Sequence, residues 1–293
     1  MISYDDRDGY IWMDGDLVEW REAKVHILTH AMHYGSSVFE GERCYGGKIF
    51  KSMEHSERLI QSGKLMDIPI PYKAEEIEKI KSKIVDIASS SDLYVRAVAW
   101  RGSGTDMGVA SENNKVRMAV AAWEWGAYYG EAKFKGAKLD ISRWKRPSPE
   151  TIPCFAKAAG LYMICTQSKH EAQSKGCSDS LMMDYRGYVA EATGANVFFK
   201  DSEGSLHTPT PDSFLDGITR RTVIEIAKSK KIKVIERKIS PDELSKFVGC
   251  FLTGTAAEVT PVSCIDKYKF KVCNTILDLN ESYQALVRKK KAA

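Results

Sequence analysis

The sequence predicts a mixed α+β / α/β protein with one large or two modest domains. Three observations support this: one segment has helical apolar periodicity, several short β-prone runs flank turn signals, and apolar residues are numerous enough for a sizeable core. The chain has 293 residues, more than the usual single domain, and 43% of them are hydrophobic and 10% aromatic.

The first part of the chain alternates strand and helix signals. Residues 11–20 contain two β-prone runs around Asp14-Gly15, two residues that tolerate positive φ, and so predict a hairpin. Residues 44–50 predict a second hairpin and residues 55–66 a helix. In residues 74–89 isoleucines recur at spacings of three and four, which indicates an amphipathic helix.

The middle of the chain predicts two strands and a domain boundary. Strand-like residues 93–100 and 116–123 are joined by a loop rich in Gly, Ser and Asn, and loops of that length without regular structure are often functional. The mixture of aromatic residues and glycine that follows indicates a linker. The predicted organisation is a smaller N-terminal α/β domain (1–123), an interdomain linker (124–136) and a larger C-terminal domain (137–293).

The C-terminal part continues the alternation. Residues 161–175 predict a helix, 181–192 a hairpin and 196–199 a strand. Asp216 is a candidate N-cap for the next helix, and Ser240-Pro-Asp-Glu243 is a capping box with proline at the first helical position.

Charge and cysteine content exclude some classes of protein. The formal net charge is +4, and the basic residues are interspersed with 39 acidic ones, so the Lys289-Lys290-Lys291 run predicts a solvated terminus and no nucleic-acid arm. The seven cysteines include no C-x-x-C pair, which indicates free thiols in a reducing compartment. With no apolar signal segment or membrane-length stretch, we expect a cytoplasmic protein without membrane association.

Three histidines precede the second predicted hairpin. His26, His30 and His33 are spaced so that a helix over residues 25–34 would place three imidazoles on one face. A metal site is one interpretation of this spacing. No acidic residue interleaves the three and no H-E-x-x-H occurs, which favours packed or hydrogen-bonded histidines. We therefore assign no metal site.

Lys157 is the candidate catalytic residue. It lies among small residues in the sequence PCFAKAAGLY, where an apolar run passes into a predicted helix. Burial lowers the pKa of a lysine amine, and such an amine is a better nucleophile toward carbonyl groups. A solvated lysine at a helix start is the alternative interpretation in a chain with 43 Lys and Arg residues.

Five segments together suggest a family. They are YGSSVFEG at 34–41, KAAGLY at 157–162, EATGAN at 191–196, DGITR at 216–220 and GTAAE at 254–258. In this order and spacing, over residues 9–264, the chain resembles the branched-chain amino acid aminotransferases. These are pyridoxal-phosphate enzymes of fold type IV, so the resemblance implies two domains with the cofactor at their interface.

The resemblance implies a role for each cofactor-binding residue. Lys157 would hold pyridoxal 5'-phosphate as a Schiff base and later move the substrate proton, and Glu191 would bind the pyridine nitrogen. Tyr162 would bind the ring hydroxyl oxygen. Independently of the family, free N–H groups at a helix start after Gly217 suit a phosphate. The implied cofactor-binding set is Arg58, Lys157, Tyr162, Glu191, Ile218, Thr219 and Thr255.

The resemblance also implies the substrates and a homodimer. The expected reaction transfers the amino group of leucine, isoleucine or valine to 2-oxoglutarate, giving L-glutamate. Tyr94 and the backbone N–H groups of Thr255 and Ala256 would bind the α-carboxylate, and Arg96 is the candidate for the distal carboxylate of glutamate. Val109 and Tyr34 would come from the partner subunit. The implied substrate set is Tyr34, Phe39, Tyr94, Arg96, Val109, Trp125, Tyr128, Thr255, Ala256 and Ala257.

Three alternatives remain open at this point. A D-amino acid aminotransferase, an (R)-amine transaminase or an aminodeoxychorismate lyase would share the lysine and the glutamate, although residues 34–41, 125–128 and 254–257 are of the branched-chain type. A metal-dependent hydrolase would use the three histidines. A non-catalytic binding protein would leave Lys157 inert.

Overall fold

The chain forms two compact units. The computed structural model describes residues 2–126 and 135–288. The N-terminal unit runs to Trp125 and includes a short return segment, Ala156–Leu161; the remaining residues form the C-terminal unit. The return segment, which contains Lys157, thus belongs to the N-terminal unit although it lies within the range 137–293 of the expected C-terminal domain.

The N-terminal unit contains a seven-stranded sheet in which β1, β7, β6 and β4 are central. All its pairings are antiparallel. Its strands are β1 (Tyr10–Met13), β2 (Asp16–Glu19), β3 (Ser37–Phe39), β4 (Glu42–Tyr45), β5 (Lys48–Ile49), β6 (Leu93–Arg101) and β7 (Val116–Glu124). Both predicted hairpins are confirmed, and Asp14 and Gly15 have φ values of 52° and 117° in the first turn.

Three helices pack against this sheet. They are α1 (His30–Tyr34), α2 (Ser52–Leu65) and α3 (Ala74–Asp86). The predictions of α2 and α3 are confirmed, and the apolar face of α3 buries Ile77 and Ile84 while the helix packs on β1, β6 and β7. On the other face of β6, Arg96, Val98 and Trp100 line an open groove of about 370 Å³.

The helix around the three histidines is shorter than the sequence predicts. It begins only at His30, because Thr29 is extended (ψ 123°) and the Leu28 N–H donates to Nδ1 of His26 instead of continuing a helix. His30 contacts the Ser36 hydroxyl and the Gly108 carbonyl, and His33 contacts the Ile27 carbonyl. The predicted shared face of three imidazoles was therefore wrong, and no group suited to a metal occurs among the described residues.

The C-terminal unit contains a nine-stranded sheet. Its strands are β8 (Ala137–Ile141), β9 (Asp179–Met183), β10 (Val189–Ala192), β11 (Asn196–Lys200), β12 (Leu206–Thr208), β13 (Val234–Glu236), β14 (Gly249–Gly254), β15 (Glu258–Ile265) and β16 (Tyr268–Lys269). The order β10-β9-β8-β15-β14-β11, with β10 also paired to β11, closes six strands into a barrel. Apolar side chains such as Leu139, Val197 and Leu252 fill the core.

Helices and turns complete the C-terminal unit. The helices are α4 (Met163–Ser174), α5 (Ile218–Ser229) and α6 (Asn274–Val287). The predicted helix after Lys157 and the predicted β9–β10 hairpin are confirmed. The Glu243 carboxylate accepts from the Ser240 N–H, as expected of the capping box, although the helix it starts is a 3-10 helix. Within the described ranges, every helix is too short or too polar to cross a membrane.

Candidate active site

The main chain of the return segment is fixed on the N-terminal unit. The Lys157 carbonyl accepts from the Phe39 N–H (3.0 Å), and the Lys157 N–H donates to the Ser62 hydroxyl of α2 (3.0 Å). Ala156 and Ala158, on either side, are 3% and 0% exposed. Larger side chains would not fit there, which explains the small residues around the lysine. The Lys157 Nζ lies 5.1 Å from the centre of the Phe39 ring.

Aromatic side chains and one arginine form a cluster near Phe39. The Tyr94 ring lies 4.7 Å from the Trp125 ring, and the Arg96 guanidinium lies 4.6 Å above the Phe39 ring. Alternation along β6 places Tyr94 and Arg96 on the same face. The Tyr94 hydroxyl lies against the backbone of Gly41, where an added Cβ would be 1.9 Å from it. The structure therefore brings four predicted substrate residues together.

Tyr34 and Val109 lie in a different environment. Their exposed fractions are 46% and 80%. The Tyr34 hydroxyl donates to the Met107 carbonyl (2.9 Å), and His30 contacts the Gly108 carbonyl. These hydrogen bonds connect α1 to the loop after β6. Both side chains are thus presented on the surface of the N-terminal unit. Tyr128, the remaining predicted aromatic, lies outside the described residues.

Arg58 is held by a buried carboxylate. It lies on α2, and its Nε and Nη2 donate to the two carboxylate oxygens of Glu40 at 2.6 and 2.8 Å. Glu40 is 0% exposed. Sequence analysis assigned Arg58 to the phosphate but gave no role to Glu40, although this residue lies inside the quoted 34–41 motif.

In the C-terminal unit, Glu191 lies where the barrel closes. It is 8% exposed and stands opposite Asn196 in the β10–β11 pair. The Asn196 amide donates to Glu191 (3.1 Å), and its oxygen accepts from the Gly217 N–H (3.1 Å). Asn196 therefore connects the carboxylate to the start of α5. It lies within the EATGAN motif, but its own role was not predicted.

Arg146 is a second residue that sequence analysis missed. It is 5% exposed, and its Nε lies 3.4 Å from a Glu191 oxygen. Burial opposes its charge, but the negative charge of the Glu191 carboxylate is the largest opposing effect, and the pKa of Arg146 is raised. A permanent positive charge therefore lies beside Glu191 and Tyr162. Arg146 is far from both in sequence and belongs to none of the motifs, so no sequence signal identifies it.

The start of α5 differs from the prediction in its cap. The helix begins at Ile218 with Gly217 as the N-cap residue, so the assignment of Asp216 as N-cap was wrong. The Asp216 carboxylate instead accepts from Arg220 (2.9 Å) and Arg221 in the first turn. Gly217 has an ordinary φ of −64°, yet a Cβ there would lie 2.2 Å from the Asn196 oxygen. Like any helix start, this one has N–H groups without an intrahelical acceptor, including those of Ile218 and Thr219.

The β14–β15 turn supplies the last predicted group. Thr255, Ala256 and Ala257 form a tight turn between Gly254 and Glu258, and the first two are partly exposed. Glu258 has a positive φ of 54°, which lets the chain reverse directly. Tyr162 is also partly exposed. Thr255 and Ala256 are thus partly accessible to solvent.

These donors fit pyridoxal phosphate. In the N-terminal unit, Lys157 offers an amine for an aldehyde and Arg58 a guanidinium for a phosphate. In the C-terminal unit, the start of α5 offers N–H donors for an anion, and Glu191 is a buried carboxylate of the kind that binds a ring nitrogen. A Cβ at Gly217 would lie 2.2 Å from the Asn196 oxygen, so a residue with a side chain would not fit here without a shift.

Comparison with known proteins identifies the family. A model of the class IV aminotransferases matches residues 37–265. The branched-chain-amino-acid aminotransferase of Pseudomonas aeruginosa is 40% identical over 273 residues, which cover 92% of this chain and 88% of that protein.

Two solved structures agree with this result. The branched-chain amino acid aminotransferase of Escherichia coli superposes with a TM-score of 0.92 at 33% identity, covering 97% of each chain. The branched-chain aminotransferase of the thermophilic archaeon Thermoproteus uzoniensis, solved with norvaline, has a TM-score of 0.91 at 33% identity, covering 96% of each chain. The family resemblance drawn from the five motifs is confirmed, and the chain belongs to the class IV aminotransferases.

Proposed function

We infer that this protein is a pyridoxal-phosphate-dependent aminotransferase that moves the amino group of leucine, isoleucine or valine to 2-oxoglutarate, giving the branched 2-oxo acid and L-glutamate. The most direct support is the 40% identity, over 92% of the chain, to a protein named as a branched-chain-amino-acid aminotransferase. All the relatives described above are named in this way, which favours this activity over the D-amino acid, (R)-amine and lyase alternatives.

Lys157 is the catalytic residue of this proposal. Bound pyridoxal phosphate supplies an aldehyde that takes up an amino group and a ring that withdraws electrons. Lys157 would hold the cofactor aldehyde through its amine. When free, the same amine would take up and return the proton of the substrate α-carbon.

Residues of the C-terminal unit orient the ring. Glu191 binds the ring nitrogen, and the Asn196 amide and Arg146 hold its carboxylate in place. Tyr162 binds the ring hydroxyl oxygen. Asn196 also accepts from the Gly217 N–H, so one side chain contacts both the carboxylate and the start of α5.

The phosphate has donors of three kinds. Arg58 supplies a guanidinium, which matches the geometry of phosphate oxygens. Ile218 and Thr219 supply N–H groups at the positive end of the α5 dipole. Thr255 supplies a hydroxyl and a backbone N–H.

The substrate residues separate apolar from anionic recognition. Phe39, Tyr94 and Trp125 offer apolar surface, and burying a branched side chain there contributes roughly 1.5–3 kcal/mol. Arg96 is assigned to the distal carboxylate of glutamate, because its Nε is buried without an acceptor in the described part of the chain. The α-carboxylate is assigned to Tyr94 and the N–H groups of Thr255 and Ala256. Ala257 is also assigned to substrate binding, as is Tyr128, which lies outside the described residues.

A second copy of the chain completes the proposed enzyme. Large apolar side chains are exposed on and around α1, and Tyr34 and Val109 belong to this surface. The same surface adjoins the open groove lined by Val25, Met32 and Arg96. We assign it to the dimer contact, with Tyr34 and Val109 serving the partner's substrate pocket.

The cellular location remains a prediction. All seven cysteines are free in the structure. Free thiols are typical of a reducing compartment, which supports the cytoplasm.

The activity is tested with purified protein and a panel of amino donors. With 2-oxoglutarate, we expect glutamate formation from L-leucine, L-isoleucine and L-valine, none of it with Lys157→Ala, and a borohydride-trapped cofactor on the peptide containing Lys157. Turnover of D-amino acids or (R)-amines without turnover of L-leucine would contradict the proposal. A label on another lysine would contradict the role of Lys157.

A further inference from the structure

Glu40 is a buried carboxylate at the centre of a small polar cluster in the N-terminal unit. It lies between β3 and β4, and its N–H donates to the Ala97 carbonyl of β6 (2.8 Å), so the sheet fixes its backbone. Its side chain is 0% exposed. Both its oxygens are occupied, because Arg58 donates to each of them and His55 donates from Nδ1 at 2.7 Å.

The contact with Arg58 is bidentate. Nε and Nη2 bind the two Glu40 oxygens at 2.6 and 2.8 Å, which fixes the plane of the guanidinium. The Nη1 edge therefore faces away from Glu40. The Arg58 side chain is 14% exposed, whereas Glu40 is entirely covered. Glu40 thus binds the edge of the Arg58 guanidinium that faces the protein interior.

Charge in this cluster is balanced. Burial alone would raise the pKa of Glu40, but Arg58 and His55 outweigh it and hold that pKa well below its usual range. Burial lowers the pKa of His55, so this histidine is neutral at pH 7. One carboxylate then faces one guanidinium, with no net charge. Affinity for an anion at Arg58 must depend on the direction of its N–H groups more than on excess positive charge.

We propose that Glu40 is a positioning residue that aims the Arg58 guanidinium at the phosphate of the cofactor. This inference rests on the proposed function, which assigns Arg58 to that phosphate. Glu40 does not itself touch the phosphate in this arrangement. It acts through Arg58, and His55 supports it by fixing one carboxylate oxygen.

A charge effect and a positioning effect predict opposite results for Glu40→Gln. Removing the negative charge leaves Arg58 uncompensated, and a pure charge effect would tighten phosphate binding. A glutamine also replaces one acceptor oxygen with an NH₂ group, which only donates. The side chain can then no longer accept all the hydrogen bonds from Arg58 and His55. The guanidinium then loses its fixed plane, so positioning predicts weaker binding.

Glu42 is the matched control. It is also 0% exposed and lies two residues further along the chain. Its partner is the buried ammonium of Lys81, at 2.8 Å, rather than Arg58. Glu42→Gln therefore replaces a buried carboxyl group in the same region without removing an acceptor from the arginine.

The test measures binding to the apoprotein of two ligands, pyridoxal phosphate and pyridoxal, which lacks the phosphate. With Glu40→Gln we expect the dissociation constant of pyridoxal phosphate to rise about tenfold, which corresponds to about 1.4 kcal/mol. We expect the constant for pyridoxal to stay within about twofold of wild type. Glu42→Gln should leave both constants near wild type. The double variant Glu40→Gln with Arg58→Lys should bind pyridoxal phosphate no more weakly than Arg58→Lys alone does.

Three results would overturn the inference while leaving the proposed function intact: an unchanged constant for pyridoxal phosphate, equal losses for both ligands, or tighter binding. A wild-type protein that binds no pyridoxal phosphate would overturn the proposed function as well. Circular dichroism checks that each variant folds. If Glu40→Gln does not fold, Glu40→Asp replaces it, since its shorter side chain cannot reach both partners and should show the same selective loss.

Discussion

Arg96 is a side chain that can bind one kind of substrate more strongly than another. It lies on a mainly apolar strand, stacked 4.6 Å above the Phe39 ring and 5.5 Å from the Tyr94 ring. Its only side-chain donor contact among the described residues, to the Tyr94 hydroxyl, is 3.5 Å long, and its Nε is buried without an acceptor. A buried donor without an acceptor costs about 1–3 kcal/mol. A carboxylate would satisfy it, and an aliphatic side chain would not.

Replacing Arg96 should therefore affect the two amino donors unequally. With Arg96→Leu, we expect kcat/KM for glutamate and for 2-oxoglutarate to fall about ten- to a hundredfold, because a charge-assisted hydrogen bond is lost. The value of kcat/KM for leucine should fall much less. Half-reactions followed by cofactor absorbance measure each donor separately. Arg117→Leu is the control, since Arg117 pairs with Asp14 at 2.5 Å in the same sheet. Equal losses for both donors would count against the assignment.

At the scale of elements, the β10–β11 pair and the start of α5 form one structural feature. Asn196 lies opposite Glu191 in the pair and also accepts from Gly217. One amide side chain therefore sets the position of a carboxylate and of a helix start. Because Gly217 has φ −64°, the requirement for glycine is space beside Asn196 and not backbone strain.

Gly217→Ala tests this arrangement. The added methyl would lie 2.2 Å from the Asn196 oxygen, so one of the two must move. We expect a loss of roughly 1–3 kcal/mol in the free energy of unfolding, typical of overpacking. The affinity for pyridoxal phosphate should also fall, about tenfold. Urea unfolding and ligand titration measure the two effects.

Gly194→Ala provides the comparison. Nothing lies within 4 Å of a Cβ built at Gly194, and its φ is not positive. This variant should therefore bind and unfold nearly as wild type does. If Gly217→Ala also behaved as wild type, the link through Asn196 would be unimportant.

At the scale of the whole molecule, several strongly exposed apolar side chains lie on and around α1 and on the loop after β6. Ile27, Met32 and Val109 are 63%, 58% and 80% exposed. Apolar surface of this kind commonly marks a protein contact. It includes the two residues assigned to the partner's pocket, so assembly and activity should be coupled.

Met32→Asp should weaken that assembly. A charge placed in the contact would have to be buried without a partner, which is unfavourable. We expect light scattering to give the mass of two or more chains for wild type and a shift toward one chain for the variant, with loss of activity on dilution. Leu277→Asp, at a 38% exposed position on α6, should keep the wild-type mass. A wild-type protein with the mass of one chain would refute the proposed dimer.

The pH dependence of stability is another property of the whole molecule. Glu40 and His55 have lowered pKa values in the folded protein, from 4.5 and 6.5, so the unfolded chain binds more protons in acid. Stability from His55 is lost as pH falls below about 6.5, and stability from Glu40 as pH falls below about 4.5. Glu42 has the opposite sign, because burial raises its pKa to about 8 despite Lys81. Its contribution is complete below pH 4.5 and is lost as pH rises through about 8.

We therefore expect the free energy of unfolding to decrease on both sides of neutral pH. Glu42→Gln should reduce the decrease that occurs as pH rises to about 8, because a glutamine has no proton to lose. Glu40→Gln should reduce the decrease below pH 4.5. Urea unfolding at a series of pH values measures both effects. Unchanged slopes in the two variants would show that other groups dominate.

The sequence by itself determined the local elements and the family. The Asp14-Gly15 turn, the isoleucine spacing of α3 and the hairpin before EATGAN depend on neighbouring residues, and all three are confirmed. Local signals were ambiguous where adjacent residues compete. Asp216 and Gly217 both suit an N-cap, and residues 25–29 have helical spacing but use side-chain and turn hydrogen bonds instead.

Only the tertiary structure decided which distant residues meet. Three contacts join residues that no sequence periodicity connects. They are Arg146 with Glu191, Asn196 with both Glu191 and Gly217, and Glu40 with Arg58. The return segment belongs to the N-terminal unit because its main chain bonds to Phe39 and Ser62. Turn chemistry and apolar spacing act over a few residues, whereas these contacts depend on the path of the whole chain.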